Sequence, residues 1–212
     1  MNKFSFFYIG SFLILLSVLS FFNIIYSYYF NIFLSVDSYV YTFTICIVLG
    51  GTLVFYSKNK YLKSSLFEKI TIVLIGYIIF PLIISLPFYL SIYNLSFIDS
   101  YFEAISGFTS TGFTVFENIK HLDESLILWR STSQWIGGLY FLFSILLLID
   151  IFDENLKKSL TNYFSLNSAE ILKQSLKIFI IYLILTIITF IILKIINLRT
   201  FHAFNLSLTI IS

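Results

Sequence analysis

The chain has 212 residues, 58% of them hydrophobic and only 11% charged, with a formal net charge of +2. A soluble domain carries about 25% charged residues, so this composition excludes a soluble globular fold and indicates an integral membrane protein. The slight basic excess does not imply nucleic-acid binding, because the basic residues fall in loops at the edges of long apolar runs.

In chain order, uncharged runs cover 4–36, 38–57, 70–98 and 131–149, and each reaches the ~18 residues that suggest a transmembrane helix. A fifth, 178–193, extends to Leu198 if Lys194 carries its amine out to the interface. The first run is too long for the apolar region of a signal peptide, about 7–15 residues, and no small-residue cleavage site follows it. It is therefore expected to be a retained helix. Cys46, the single cysteine, lies inside the second run and is read as a small core residue.

Lysine sets the orientation. Residues 58–69 hold four lysines, as do residues 151–177, whereas 94–126 hold only Lys120. The positive-inside rule then places the N-terminus and both lysine-rich segments in the cytoplasm, with 94–126 outside. Five crossings satisfy this alternation only if residues 99–116 enter the membrane and return on the same side. Pro81 and Pro87 predict a bend or helix end in the third span. Trp129 and Arg130 at the edge of the fourth read as interfacial anchors, with Arg130 reaching into an outer vestibule as the alternative. Gly137 and Gly138 read as a site of close helix packing.

The stretch Asp99–Phe116, DSYFEAISGFTSTGFTVF, is the candidate functional segment. Ser100 and Glu103 have capping-box spacing, which predicts a short helix starting there. Gly107 and the hydroxyls after it mark its end. The turn Thr109-Ser110-Thr111-Gly112-Phe113 is then extended backbone, tolerated at membrane depth only where protein buries it or where it lines a watery cavity. Gly112 can take positive φ, turning the carbonyls of Thr109, Ser110, Thr111 and Gly112 to one axis, where they can replace a cation's hydration shell. The helix before it aims its partially negative end at the same place. Residues 94–126 contain Asp99, Glu103, Glu117, Asp123 and Glu124 against Lys120, five acids less one base, a formal −4 that would concentrate cations. His121 and His202 have no partner at metal-ligand spacing, and no protease-type His-Glu-x-x-His motif or Ser–His pair suggests an enzyme.

Asn167 and Glu170 predict a further helix start near Ser168. After that helix, laying Phe204 on Phe102 puts Ser212 on Ser110. The predicted architecture is that of an all-α integral membrane protein. Two leading transmembrane helices (1–65) precede a helix–re-entrant pore loop–helix repeat (66–152). A cytoplasmic linker and an incomplete second repeat (153–212) follow, so the chain is expected to be the N-terminal part of a pore subunit.

Residues 97–139 resemble the first pore repeat of the Trk/Ktr/HKT superfamily of potassium transporters, specifically the Trk-type membrane subunit. FIDSYFEAISGFTSTGFTVF and LWRSTSQWIGG carry the likeness. The two leading helices favour the Trk branch. The resemblance implies four repeats around one pore, a potassium-channel-like arrangement. It assigns filter function to Thr109, Ser110, Thr111, Gly112 and Phe113, with support of the pore helix by Phe102, Glu103 and Gly107. It also implies potassium uptake across the plasma (inner) membrane, a homodimer of pore subunits, and a cytoplasmic nucleotide-binding regulatory subunit. No cofactor is expected on this chain; NAD or ATP would sit on that separate subunit. The other reading is a non-conducting structural or sensory subunit with a re-entrant hairpin.

Overall fold

The computed structural model describes residues 3–57, 66–148 and 168–212, and every regular element in them is helical. They are α1 (Lys3–Tyr29), α2 (Val36–Ser57), α3 (Leu66–Tyr89), α4 (Phe97–Phe108), a 3-10 turn at Ile119–His121, α5 (Glu124–Leu148), α6 (Ser168–Ile195) and α7 (Thr200–Ile211). Five of these, α1, α2, α3, α5 and α6, are long and apolar enough to cross a membrane. The chain is thus a multi-pass membrane protein. At 12 residues, α4 rises about 18 Å, well short of a hydrocarbon core roughly 30 Å thick. The breaks expected after 65 and 152, Asn167, and Lys58, Lys60, Lys63, Lys157 and Lys158 lie outside the described residues.

Asparagine ends two of the long helices. Asn31 (φ 54°) and Asn197 (φ 65°) sit in the left-handed region. The amide after each reaches back five residues, Ile32 to the Ser27 carbonyl at 2.9 Å and Leu198 to that of Leu193 at 3.3 Å. These bonds satisfy carbonyls the helix leaves free. Helices α1 and α2 form a hairpin that crosses at Gly10 and Gly50. A Cβ on Gly10 would lie 3.0 Å from the Gly50 carbonyl oxygen, and one on Gly50 2.9 Å from that of Gly10. Farther along, Ser20 Oγ donates to the Tyr39 carbonyl at 2.8 Å.

Both prolines lie within α3, which ends two residues past Pro87. Each proline withholds a donor from its own helix, and α5 packs alongside. Trp129 Nε1 donates to the Ile84 carbonyl at 3.0 Å, and Tyr140 Oη to those of Ile72 and Val73 at 3.3 and 3.0 Å. Trp129 is only 1% exposed, so it is a core residue and not the interfacial anchor its sequence position suggested. Helix α5 begins at Glu124, seven residues before the uncharged run at 131. Arg130 interrupts that run, but its charge is paired inside the protein. Around Tyr140 an aromatic cluster joins the leading hairpin to the following repeat, with Phe12, Phe80 and Phe108 at ring-centroid distances of 5.0, 5.1 and 5.4 Å.

Gly76 provides the space for the Tyr140 hydroxyl, since a Cβ there would lie 1.9 Å from Oη. Gly76→Ala is expected to lower stability by about 1–3 kcal/mol through overpacking. Gly51 has nothing within 4 Å of its would-be Cβ, so Gly51→Ala is expected to be neutral or to stabilise by up to about 1 kcal/mol. Thermal melts of the two variants in one detergent check the contrast.

Candidate functional site

The candidate segment opens on Ser96. Its extended backbone (φ −61°, ψ 159°) precedes α4, and its Oγ accepts from the Asp99 amide at 3.1 Å while donating to the Asp99 carboxylate at 2.6 Å. The cap is therefore Ser96 with Asp99, four residues ahead of the Ser100–Glu103 pair expected from spacing. Ser100 is already inside the helix, its Oγ donating to the Ser96 carbonyl at 2.9 Å. A serine cap is worth about 1 kcal/mol over alanine. It also leaves Glu103 free for other partners.

Helix α4 stops in a Schellman motif built on a serine. Ser110 lies at φ 54°, its amide donating to the Gly107 carbonyl at 2.9 Å and the next amide, Thr111, to that of Ser106 at 3.0 Å. Gly107 is thus within the last helical turn, where a Cβ would lie 2.5 Å from Ser133 Oγ of α5. The chain turns again at Gly112 (φ 80°), where nothing lies within 4 Å of a would-be Cβ. Glycine is required there by the backbone angle and not by crowding. Residues Thr109–Phe113 are all exposed. Among the described residues no backbone amide donates to the carbonyls of Thr109, Ser110, Thr111 or Gly112. Thr109 and Thr111 pair their hydroxyls at 2.6 Å, and Ser106 Oγ holds the Phe113 carbonyl at 2.6 Å. The side chains thus shape the turn and leave four consecutive main-chain oxygens available.

Glu103 fixes the strand that leaves the turn. It is 1% exposed, and its carboxylate receives Thr114 Oγ1 at 3.0 Å, the Val115 amide at 3.1 Å and the Arg130 guanidinium. Arg130 therefore serves neither as an interfacial anchor nor as a group in an outer vestibule; it is the counter-ion of a buried acid. Buried ions are tolerated when paired in this way. The pairing also removes Glu103 from the negative outer face predicted from charge. Asp123 and Glu124 are hydrogen-bonded as well, Asp123 by Ser125 and Glu124 by Tyr26 at 2.7 Å. The supporting residue Phe102 is 46% exposed, whereas Glu103 and Gly107 face α5.

The excursion begins and ends at one place. Tyr93, before α4, accepts the Asp123 amide on its hydroxyl at 2.9 Å, so residues on either side of 94–122 are joined directly. Partial burial raises the Tyr93 phenol above its ordinary value, which keeps it a donor towards the Asp123 carboxylate. At the other end α4 rests against bare helix. A Cβ on Gly137 would lie 1.9 Å from the Phe108 carbonyl oxygen, and one on Gly138 2.9 Å from Ser212 Cα. A cavity of about 480 Å³ opens here, lined among others by Phe108, Thr109, Ser110, Gly137, Gly138 and Ser212. Helix α4 presents its C-terminal, partially negative end to it, an arrangement that favours a cation. Among the described residues no cluster of His, Cys, Asp or Glu could hold a metal ion by side chains.

Ser96, Ser106, Thr114 and Ser133 are the supporting residues that spacing alone missed. Ser96-x-x-Asp99 was itself a readable cap signal; the other three act through tertiary contacts. Glu103→Gln is expected to cost about 3–5 kcal/mol, because it leaves Arg130 as an uncompensated charge. Glu103→Gln combined with Arg130→Met should recover part of that loss. Thermal unfolding of the single and double variants in detergent checks both.

The profile of the TrkH family, described as cation transport proteins, matches residues 36–209. The chain is 33% identical over 99 residues to the Trk system potassium uptake protein TrkG of Escherichia coli, covering 46% of this chain and 20% of that one. It is 41% identical over 64 residues to an uncharacterised cation transporter of Methanocaldococcus jannaschii, covering 30% of this chain and 14% of the other. The crystal structure of the potassium transporter TrkH from Vibrio parahaemolyticus superposes with a TM-score of 0.76 at 22% identity over 98% of this chain. The chain spans 42% of that protein's length. With most of its residues inside the family profile, this chain belongs to the TrkH family of cation transport proteins.

Proposed function

We propose that this chain is the filter-bearing N-terminal part of a pore subunit for potassium uptake, and that Thr109, Ser110, Thr111, Gly112 and Phe113 form one quarter of its selectivity filter. A single observation carries the reading: among the described residues four successive carbonyls free of backbone partners lie on an exposed turn, beside a cavity that Thr109 and Ser110 line and that the C-terminal end of α4 faces. Carbonyl oxygens in such an array substitute for water around a monovalent cation. The printed names of the relatives from E. coli and V. parahaemolyticus, potassium uptake protein and potassium transporter, support potassium as the ion. In this reading α4 dips into the membrane from outside and the chain returns to the same side, with the N-terminus in the cytoplasm of a cell bounded by the plasma (inner) membrane. Two pore subunits pair. A separate cytoplasmic Trk-type subunit carries any nucleotide, and the pore chain holds no cofactor of its own. Discrimination between potassium and sodium belongs to all the strands of the filter together.

Uptake of Rb⁺ by cells lacking their own potassium systems, expressing the complete reading frame that encodes this chain, tests the assignment. Gly112→Ser places a side chain at positive φ, at a cost of about 1–2 kcal/mol, and is expected to reduce Rb⁺ uptake and weaken its preference over Na⁺. Unchanged uptake and preference would leave a non-conducting hairpin as the better reading. Single cysteines replacing Ile92 and Glu117, both exposed, are expected to react with an impermeant thiol reagent from the same side of the membrane. Labelling from opposite sides would remove the dip.

A further inference from the structure

We infer that α5 is one strut shared by two pore segments, and that the Ser131–Asn205 hydrogen bond is a positioning contact for the second segment, the neutral counterpart of the Glu103–Arg130 pair. This rests on the filter reading above.

The observation is a set of matched contacts on adjacent faces of α5. Laying Phe204 on Phe102 also lays Asn205 on Glu103 and Thr186 on Ile84. Arg130 pairs with Glu103 of α4, and the next residue, Ser131, donates to the Asn205 side-chain oxygen of α7. Seven residues on, Gly137 admits Phe108 at the end of α4 and its neighbour Gly138 admits Ser212, the residue after α7. The two indoles repeat the relation outside the pore helices: Trp129 Nε1 donates to the Ile84 carbonyl of α3, and Trp135 Nε1 to Thr186 Oγ1 of α6, each at 3.0 Å. Tyr182 completes the second set by donating to the Trp135 carbonyl at 3.0 Å.

Seven residues are close to two helical turns, so Arg130 with Gly137 and Ser131 with Gly138 form two parallel tracks about 100° apart. Each track meets a pore segment at a polar side chain and again farther along, at Phe108 in the first and Ser212 in the second. A shift of α5 therefore moves both contacts at the cavity together. The tracks differ in charge. The first is an ion pair that must stay paired. The second is a neutral hydrogen bond whose asparagine keeps its amide N–H groups for other acceptors. Asn205 and Ser131 act through the placement of α7, not by touching the ion.

The test uses the complete reading frame and reads Rb⁺ over Na⁺ preference beside detergent stability. Ser131→Ala and Asn205→Leu are expected to lower the preference several-fold, and so is Glu103→Gln. Ser131→Thr, which keeps the hydroxyl donor for Asn205 and adds no charge, should stay near the unmodified protein. The exchange Ser131→Asn with Asn205→Ser, which restores a donor–acceptor pair, should recover at least half of the lost preference. Ser20→Ala, which removes a buried hydrogen bond of the leading hairpin, should lower stability without altering preference. If Asn205→Leu does not fold, Ser131→Ala and Ser131→Thr decide alone. A preference unchanged in Ser131→Ala while Glu103→Gln shifts it would overturn the shared strut and leave the filter reading standing. An equal shift in Ser20→Ala would reduce the contact to general stability and overturn it too. No shift in any variant, Glu103→Gln and Gly112→Ser included, would overturn the filter reading itself.

Discussion

A carboxylate with 1% exposure organises this site. Glu103 gathers a hydroxyl, a backbone amide and a guanidinium from two other stretches of chain, and each partner solves a different problem. Arg130 balances the charge, which in an apolar surrounding costs several kcal/mol per ion if left alone. The Val115 amide belongs to irregular backbone that has no helix or sheet to satisfy it, and an unpaired buried amide is itself costly. Thr114 orients the return strand. The acid holds the strand that leaves the turn, Ser106 holds Phe113, and the turn's own carbonyls stay exposed.

The second constraint is closeness. Backbone can approach a neighbouring helix this closely only where that helix lacks side chains, and the two glycines of α5 fulfil that for Phe108 of α4 and for Ser212 in turn. The aromatic cluster around Tyr140 acts in the opposite sense, filling the volume between the leading hairpin and the repeat with large rings. Small residues set distances near the cavity, while large ones lock helices farther out. In lipid, where apolar association gains little, packing and interhelical hydrogen bonds of this kind hold helices together.

Much of the fold was legible because the membrane simplifies it. Runs without charge marked the five long helices, and a run too short to cross marked α4. The matched position of Phe204 pointed to α7. Legibility ended where a residue's role depends on a distant partner. Arg130 looked like a boundary because a charge breaks an apolar run, yet its counter-ion sits 27 positions earlier in the chain. Trp129 looked interfacial for the same reason. Glu103 at cap spacing from Ser100 suggested a local role, and the earlier Ser96–Asp99 pair took it instead. In the turn itself Gly112 was readable from conformational freedom, but Ser110 was not, since left-handed serine has no strong local signature.

That serine has a consequence for how the turn exists at all. Non-glycine residues resist the left-handed region by roughly 1–2 kcal/mol, and a lone helix of 12 residues is marginal in water, where about 12–15 are needed. A peptide excised from Ser96 to Phe116 would keep its cap yet lose Arg130, Ser133 and Gly137. The loop would relax into an ensemble, and the ordered row of oxygens would disappear with it. The conformation that could strip water from an ion is thus borrowed from the surrounding bundle, not encoded in the loop.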